Sequence, residues 1–198
     1  WTGSVDRNWS TPGNWSSNAV PNINTDVTIP SATNNPLIDA ASAALAAATC
    51  RNLNITTGRL DLAGGVAGVD LAVKGSVSIG NGSQAGVLSV GNADVTIEVG
   101  GAWTRGTFAG CSFINGGGTI SFNSVSGANS ITPQTSGNYS FGNIIFNGAT
   151  SSYNIVGGLT TTGDFTINNA TFTPANGITI NIGGNFTNNG GTYTASPS

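Results

Sequence analysis

The chain has 198 residues, of which 30 are glycine and only 7% are charged, and its formal net charge is −3. With a pI of about 4.4, neither nucleic acid nor an anionic membrane is a favoured partner. No apolar run reaches the roughly 18 residues of a spanning helix, so membrane insertion is not expected. The length suffices for one domain with a continuous core. Because the chain opens at Trp1, we expect any secretion signal to have been removed or to lie outside this sequence.

Residues 1–49 differ from the rest and are predicted to form an N-terminal cap. They hold four of the seven prolines and three of the four tryptophans, Trp1, Trp9 and Trp15. A repeat structure exposes apolar side chains and unpaired strand edges at its end, and these need covering. We therefore favour packing of the three indoles over that end. The alternative is a platform on which sugar rings stack, which would make these aromatics glycan contacts.

An alanine-rich segment closes the cap, between Asp39 and Thr49. Its propensity is helical, and Asp39 could serve as the N-cap. Such a helix is too short to be stable alone. We favour the other interpretation, in which this segment is a first coil built from small residues.

A glycine, any residue and a large apolar residue recur along residues 50–198. The repeat glycines are Gly58, Gly75, Gly101, Gly118, Gly142, Gly163 and Gly184. Their successive spacings are 17, 26, 17, 24, 21 and 21, with a mean of 21. A period in the twenties is typical of stacked repeats, because one unit cannot bury its own apolar face. Residues 95–104 also resemble residues 178–187, at an offset of 83.

Within each repeat, apolar residues alternate with Thr, Asn or Ser, which is the pattern of strands with one face inward. We predict an all-β parallel solenoid of about seven coils, with three short strands and three turns in each. Glycine and asparagine are expected at the corners, where they tolerate positive φ. The uneven spacing between Gly58 and Gly142 suggests bulged corners there. The final coil, near Tyr193, has no evident cap, so we expect it either to continue into further repeats or to dock onto another cap.

From Gly106 to Ser198 the only charged residue is Asp164. Disorder is one interpretation of such a glycine-rich stretch. The regular apolar alternation favours a second, in which neutral polar side chains form hydrogen-bonded ladders between coils about 4.8 Å apart.

The N-terminal residues also carry a family resemblance. The matching residues are Trp1-Thr2-Gly3, Asp6, Trp9, Gly13-Asn14-Trp15, Pro21 and Asp26-Val27-Thr28-Ile29-Pro30. With the Cys-Arg-Asn-Leu-Asn-Ile strand at residues 50–55 and the glycine repeats, they resemble a module of large secreted surface proteins of Bacteroidota. The resemblance implies a right-handed parallel β-helix, export (often by the type 9 secretion route) and a role as adhesin or filament segment. The C-terminal sorting domain of such proteins is not recognised here, so the chain is expected to be a fragment of a longer protein.

Catalysis is not expected. The chain has no histidine, which removes Ser-His-Asp and Cys-His arrangements and the commonest metal ligand. Its acids are Asp6, Asp26, Asp39, Asp61, Asp70, Asp94, Glu98 and Asp164. Asp94 and Glu98 could share one strand face, and Glu98 and Arg105 flank Trp103 as a small charged spot. We favour a solvated face with a weak ion pair, and assign no catalytic residue and no cofactor.

Metal ions and a disulfide are not expected either. Asp6 or Asp26 could hold one calcium ion with nearby asparagines, but a capping or turn role is favoured. Cys50 and Cys111 are separated by nearly three coils, or roughly 14 Å along the axis. A disulfide needs Cα atoms within about 7 Å, so two buried free thiols are expected, and one disulfide is the alternative.

The leading hypothesis is a non-enzymatic extracellular module, a rigid stalk or adhesive segment of a bacterial surface protein. Its partners would be surface glycans, other copies of itself or neighbouring domains of a longer chain. A carbohydrate-binding or carbohydrate-active β-helix is the first alternative, and the active form requires at least two converging carboxylates. An ice-binding solenoid is the second, and it requires a regular Thr-x-Thr array. The threonines considered for that array are Thr160, Thr161, Thr162, Thr166, Thr171 and Thr187.

Overall fold

The computed structural model describes residues 1–40, 47–64, 68–133 and 140–194. This part of the chain holds 21 β-strands, one 3-10 turn at Pro12–Asn14 and no α-helix. Within it, accordingly, no helix has the length and apolar character needed to cross a membrane. The strands are β1 (Val27–Ile29), β2 (Leu37–Asp39), β3 (Ala48–Cys50), β4 (Leu53–Ile55), β5 (Arg59–Gly64), β6 (Leu71–Val73), β7 (Val77–Ile79), β8 (Val87–Val90), β9 (Thr96–Val99), β10 (Trp103–Arg105), β11 (Ser112–Ile114), β12 (Thr119–Phe122), β13 (Gly127–Thr132), β14 (Asn143–Asn147), β15 (Ser151–Ile155), β16 (Leu159–Thr161), β17 (Phe165–Asn168), β18 (Thr171–Pro174), β19 (Ile180–Ile182), β20 (Phe186–Asn189) and β21 (Thr192–Tyr193).

The strands stack into parallel sheets along the sides of a solenoid. Sheet 1 has the order β1-β4-β7-β10-β13-β15-β18-β21, sheet 2 the order β2-β5-β8-β11, and sheet 3 the order β3-β6-β9-β12-β14-β17-β20. A two-stranded sheet 4, β16-β19, takes the place of sheet 2 in the last coils. The chain therefore visits the same three sides once per turn. The predicted all-β parallel solenoid is confirmed, with six full turns separating the seven strands of sheet 3.

Coil length is less regular than the mean glycine spacing predicts. Ser152 pairs with Thr171, whereas Trp103 pairs with the more distant Ile131, so the second of these coils is much the longer. In sheet 3 only the last two steps, from Ile144 to Phe165 and on to Phe186, equal the mean spacing. The corners absorb the difference, because the ladder fixes only the strands.

The solenoid begins earlier than the predicted cap boundary at residue 49. β1, β2 and β3 all lie before residue 51 and pair in parallel with β4, β5 and β6. Residues 1–26 alone precede the first coil. Of the alanine-rich segment, residues 41–46 lie outside the described residues, and the flanks are strands that end at Asp39 and begin at Ala48.

The cap covers the exposed edges of the first coil with hydrogen bonds. The N-terminal ammonium of Trp1 donates to the carbonyl of Thr28 at 2.9 Å. The backbone N–H of Leu37 donates to the carbonyl of Arg7 at 2.7 Å, and that of Trp9 donates to the carbonyl of Leu37 at 3.2 Å. Edge groups of β1 and β2 are thereby satisfied, which leaves this end closed to further pairing.

The core changes from aliphatic to aromatic along the solenoid. Ile29, Ile55 and Ile79 stack in one inward column of the first coils. Farther along, Phe122 lies over Phe146 with ring centroids 5.1 Å apart and planes at 10°. In-register stacking thus places like on like, and each coil buries the apolar face of the one beneath.

The repeat glycines occupy three columns rather than one. Gly58 precedes sheet 2, Gly75 and Gly101 precede sheet 1, and four precede sheet 3: Gly118, Gly142, Gly163 and Gly184. A spacing of 17 is therefore a step between sides, and a spacing of 21 to 26 is a whole coil. The uneven spacing suggested bulged corners, but its main cause is this change of side. One register shift does occur in that range, between Leu62 and Gly64 at the end of β5. Residues 95–104 and 178–187 likewise lie on different sides, running from sheet 3 to sheet 1 and from sheet 4 to sheet 3.

Steric crowding, not positive φ, explains these glycines. None of the seven has a positive φ. A Cβ on Gly75 or Gly163 would overlap the side-chain oxygen of an asparagine in the coil beneath, Asn52 or Asn143. A Cβ on Gly142 would lie 2.7 Å from the carbonyl oxygen of Gly117. Glycine is needed because the backbone touches the previous coil at these positions.

The residue after a repeat glycine links one coil to the next. The Oδ1 atom of Asn143 accepts the backbone N–H of Asp164 at 2.9 Å, and Oδ1 of Asp164 accepts that of Asn185 at 2.8 Å. On sheet 1, Asn52 follows Arg51 rather than a repeat glycine, yet its Oδ1 atom accepts the backbone N–H of Ser76 in the same way. Each side chain therefore caps a backbone donor one coil away.

Four asparagines form a second ladder at the end of the sheet 3 strands, which we call the asparagine ladder: Asn123, Asn147, Asn168 and Asn189. The side-chain amides of Asn147, Asn168 and Asn189 each donate to the Oδ1 atom of the asparagine one coil earlier, at 2.6, 2.9 and 2.8 Å in turn. The predicted neutral polar ladders are thus confirmed in the part of the chain where charge is nearly absent.

Two glycines provide a matched test of the steric role. We expect Gly142→Ala to lower the free energy of unfolding by about 1–3 kcal/mol, because the added methyl has no space against the previous coil. For Gly158→Ala the new Cβ would lie 3.9 Å from its nearest neighbour, the carbonyl oxygen of Thr179. That change is expected to be neutral or to stabilise by at most about 1 kcal/mol. Urea unfolding measures both, and equal effects of the two changes would contradict the steric explanation.

Candidate functional site

The three cap tryptophans are packed together. Trp1 lies edge-to-face on Trp15 at 4.8 Å, and Trp9 does so at 4.7 Å. None of the three is more than 8% exposed. The indole N–H of Trp1 donates to the carbonyl of Asn34, and that of Trp15 to the carbonyl of Trp9. The faces needed to stack on a sugar are buried, so the glycan-platform alternative for these residues is contradicted and the packing role is supported.

Asn14 is the centre of the cap's polar network. Its side-chain oxygen accepts the backbone N–H groups of Val5 and Asp6 at 2.9 and 3.0 Å. Its amide nitrogen donates to Oδ1 of Asp6 at 2.6 Å and to the carbonyl of Asn8. These hydrogen bonds, chiefly the one from Asn14, lower the pKa of Asp6. Asp6 therefore stabilises a turn of the cap by accepting hydrogen bonds. This is the capping or turn role that was favoured over a metal ligand.

Asp26 is held in an ion pair. Nε of Arg51 donates to its Oδ1 atom at 2.7 Å, a second guanidinium nitrogen donates to Oδ2, and Asn52 donates to Oδ1. Hydrogen bonds from Arg51 and Asn52 lower the pKa of Asp26 to about 2. Over the described ranges, no cluster of three or more His, Cys, Asp or Glu residues has metal-binding geometry.

The charged spot that was considered around Trp103 is not formed, and the favoured solvated face is wrong for Arg105, which is buried. Asp94 lies in the turn before β9 rather than on the strand with Glu98. Glu98 faces outward between Ala72 and Ser121 in sheet 3. Arg105 instead points into the core, one coil after Ile79 in the same column, and donates to the carbonyl of Cys111. Glu98 and Arg105 therefore lie on opposite sides of the solenoid wall.

Asp70 is the one fully buried carboxyl group of the described residues. One oxygen accepts the backbone N–H of Thr96 at 2.8 Å, and the other has no hydrogen-bond partner. Burial, with a smaller contribution from the carboxylate of Asp94, raises the pKa of Asp70. A substrate has no access to the carboxyl group of Asp70. Asp70 and Asp94 therefore do not form the open carboxylate cleft that a carbohydrate-active β-helix requires.

Both cysteines are buried and free. Burial raises the pKa of Cys50 to about 12, and the thiol of Cys111 donates to the carbonyl of Gln84 at 3.1 Å. The expected pair of buried free thiols is confirmed.

The outer surface of sheet 3 in the last three coils is an ordered array of mainly amides and hydroxyls, with Ile145 and the carboxylate of Asp164 among them. We call it the Asn/Thr face, and its residues are Asn143, Ile145, Asn147, Asp164, Thr166, Asn168, Asn185, Thr187 and Asn189. Thr166 and Thr187 are direct register partners. The two ladders on either side fix the orientation of their neighbours, so this array is a preorganised hydrogen-bonding surface.

The threonines considered for ice binding do not share one face. Thr161 is buried and donates to the carbonyl of Gly163. Thr166 and Thr187 lie on sheet 3, whereas Thr171 lies on sheet 1 over Ser152. The regular Thr-x-Thr array required by that alternative is therefore not formed by these residues.

Two buried polar residues were missed by the sequence analysis. The first is Asn14, which was named only as part of the Gly13-Asn14-Trp15 motif that carries the family resemblance. The second is Tyr153, whose hydroxyl donates toward the carbonyls of Phe122 and Asn147 at 2.9 and 2.8 Å and accepts the N–H of Ser124. No sequence signal separates Tyr153 from the other core aromatics, because its partners are backbone groups distant along the chain.

A family model described as a domain of unknown function, DUF8693, matches residues 1–106. The chain belongs to this family. The match spans the cap and the coils through β10, and the Asn/Thr face lies beyond it. Searches of curated proteins and of solved structures each found no match.

Asn14 provides a test of the cap. We expect Asn14→Ala to lower the free energy of unfolding by about 2–4 kcal/mol, because two backbone donors lose their acceptor. Asn24 has an exposed side chain in the same cap, and Asn24→Ala is the matched control with an expected change below about 0.5 kcal/mol. Chemical denaturation measures both. Similar small effects would show that the network around Asn14 does not hold the cap.

Asp70 provides a pH test. Its raised pKa means that the native state binds the proton more tightly than the unfolded state, so its ionisation costs stability as pH rises. Relative to wild type, Asp70→Asn is expected to become progressively more stable as the pH rises through and above the ordinary pKa of 3.8. Asp94→Asn should retain most of the wild-type slope. Parallel pH profiles for wild type and Asp70→Asn, measured by urea unfolding, would contradict this assignment.

Proposed function

We propose that this chain is a non-enzymatic structural and adhesive module, a rigid solenoid segment of an extracellular bacterial cell-surface protein. One observation carries the proposal: a parallel ladder runs without a change of architecture from the closed cap to the last coil. Such a ladder resists bending and extension because sheets 1 and 3 bond successive coils over the whole stack. Sheets 2 and 4 add a third bonded side in the early and in the last coils. The resemblance of the N-terminal residues to secreted surface modules supports the location.

The Asn/Thr face supports the adhesive part. Its amides and hydroxyls can donate and accept hydrogen bonds, as the hydroxyls of glycans do. Thr187 and Asn189 are exposed, and Asp164 is the only charged residue on the face. A large ordered surface of this kind suits many weak contacts, whose strength adds when several copies act together.

Surface exposure is the first expected outcome. In the cells that produce the protein, antibodies against this chain should label intact cells, and protease added outside should remove the signal. A cytosolic protein followed in parallel serves as the control for lysis. Labelling that appears only after the cells are broken would overturn the proposal.

Purified protein tests the adhesive part. The double variant Thr166→Val and Thr187→Val should weaken retention of protein-coated beads on a glycan-coated surface severalfold, because two hydroxyls of the face are removed. Thr28→Val with Thr104→Val is the matched control, since both threonines are exposed on sheet 1 rather than on the Asn/Thr face. Equal retention of all three proteins would contradict the assignment of the Asn/Thr face.

A further inference from the structure

The two ends of the solenoid differ in a way that identifies a partner. Phe186 and Tyr193 in the last coil are 51% and 45% exposed. Their register partners one coil earlier, Phe165 and Phe172, are buried. Exposed aromatics clustered at one end mark a surface that is normally covered.

The exposed end is chemically a copy of an internal coil surface. Residues 163–168 read Gly-Asp-Phe-Thr-Ile-Asn, and residues 184–189 read Gly-Asn-Phe-Thr-Asn-Asn. Phe165 stacks on Phe186, and Phe172 on Tyr193, each with centroids 5.7 Å apart. The last coil thus presents nearly the same aromatic surface that the coil before it presents to the last one.

The polar ladders also indicate where the side chains and backbone of a following coil would bond to the last coil. Asn185 and Asn189 each donate a side-chain amide to the coil beneath, to Asp164 and Asn168. In earlier coils the side-chain oxygen at these positions accepts from the following coil. The backbone follows the same rule, since the N–H of Ile144 donates to the carbonyl of Asp164 and that of Phe165 to the carbonyl of Asn185. By register, the N–H of Phe186 is placed to donate to the next coil.

We propose that the open end binds one more parallel coil of the same Gly-(Asn/Asp)-apolar-Thr repeat, carried by the same polypeptide in a longer chain. A second copy does not fit the parallel register at its own N-terminal end, where Trp1 and Trp9 close the edges of the first coil. Two open ends facing each other would pair antiparallel and break both ladders. A coil that belongs to the same polypeptide also avoids the loss of translational and rotational entropy on association. An interface as small as one cross-section of the solenoid does not offset that loss. The inference does not depend on the extracellular location.

The test is an extended variant in which residues 195–198 are replaced by a second copy of residues 174–194. The register of the last two coils continues unbroken across this junction. Amide hydrogen exchange by NMR is expected to show the N–H of Phe186 protected more than about tenfold over the parent chain. In a matched control the appended copy of Gly184 is replaced by valine, which should restore fast exchange because its side chain would collide with the previous coil.

A second measurement separates the possible occupants. Phe186→Ala should shift the urea midpoint little in the parent chain and much more in the extended one, where the ring is buried. The parent chain is expected to sediment as a monomer. An unprotected Phe186 amide in the extended variant, or equal midpoint shifts, would overturn the proposal. A parent dimer that is abolished by Phe186→Ala would also overturn it, in favour of a second copy.

Discussion

Every feature of this molecule depends on the close stacking of successive coils, about 4.8 Å apart. Each side chain must pack against, or hydrogen-bond to, the residue directly beneath it in the previous coil, and each column of the stack does this in its own way. Phenylalanine lies on phenylalanine, and asparagine donates to asparagine. Glycine occurs where the backbone touches the previous coil. Like charges in one column would repel, which gives a physical reason for the near absence of charge after Gly106.

The solenoid could be predicted from sequence because the alternation of apolar and polar residues and the glycine period are local signals. The columns could not, because a Gly-x-apolar motif has the same form before any of the three sides. Gly101 and Gly118 are neighbours in the motif series but lie before different sheets. From the spacing alone we therefore predicted bulged corners, whereas the short steps between glycines are changes from one side of the solenoid to another. Asn14 and Asp70 owe their importance to partners that are distant in sequence or belong to the backbone.

The family match and the proposed functional surface divide the chain. DUF8693 covers the cap and the first coils, whose inward residues are largely aliphatic. The aromatic core and the Asn/Thr face follow it. The cap closes one end with tryptophans and backbone hydrogen bonds, and the other end repeats an internal surface. In this view the matched part starts the stack, and the later coils extend it and carry the contact surface.

Coil stacking is tested most directly by one distance. Ala72 and Thr187 lie in the same outward column of sheet 3, five steps apart. Spin labels on cysteines at these two positions, in a chain with Cys50→Ala and Cys111→Ala, should be separated by about 24 Å with a narrow distribution. A broad distribution, or a separation below about 15 Å, would contradict the stacked-coil account.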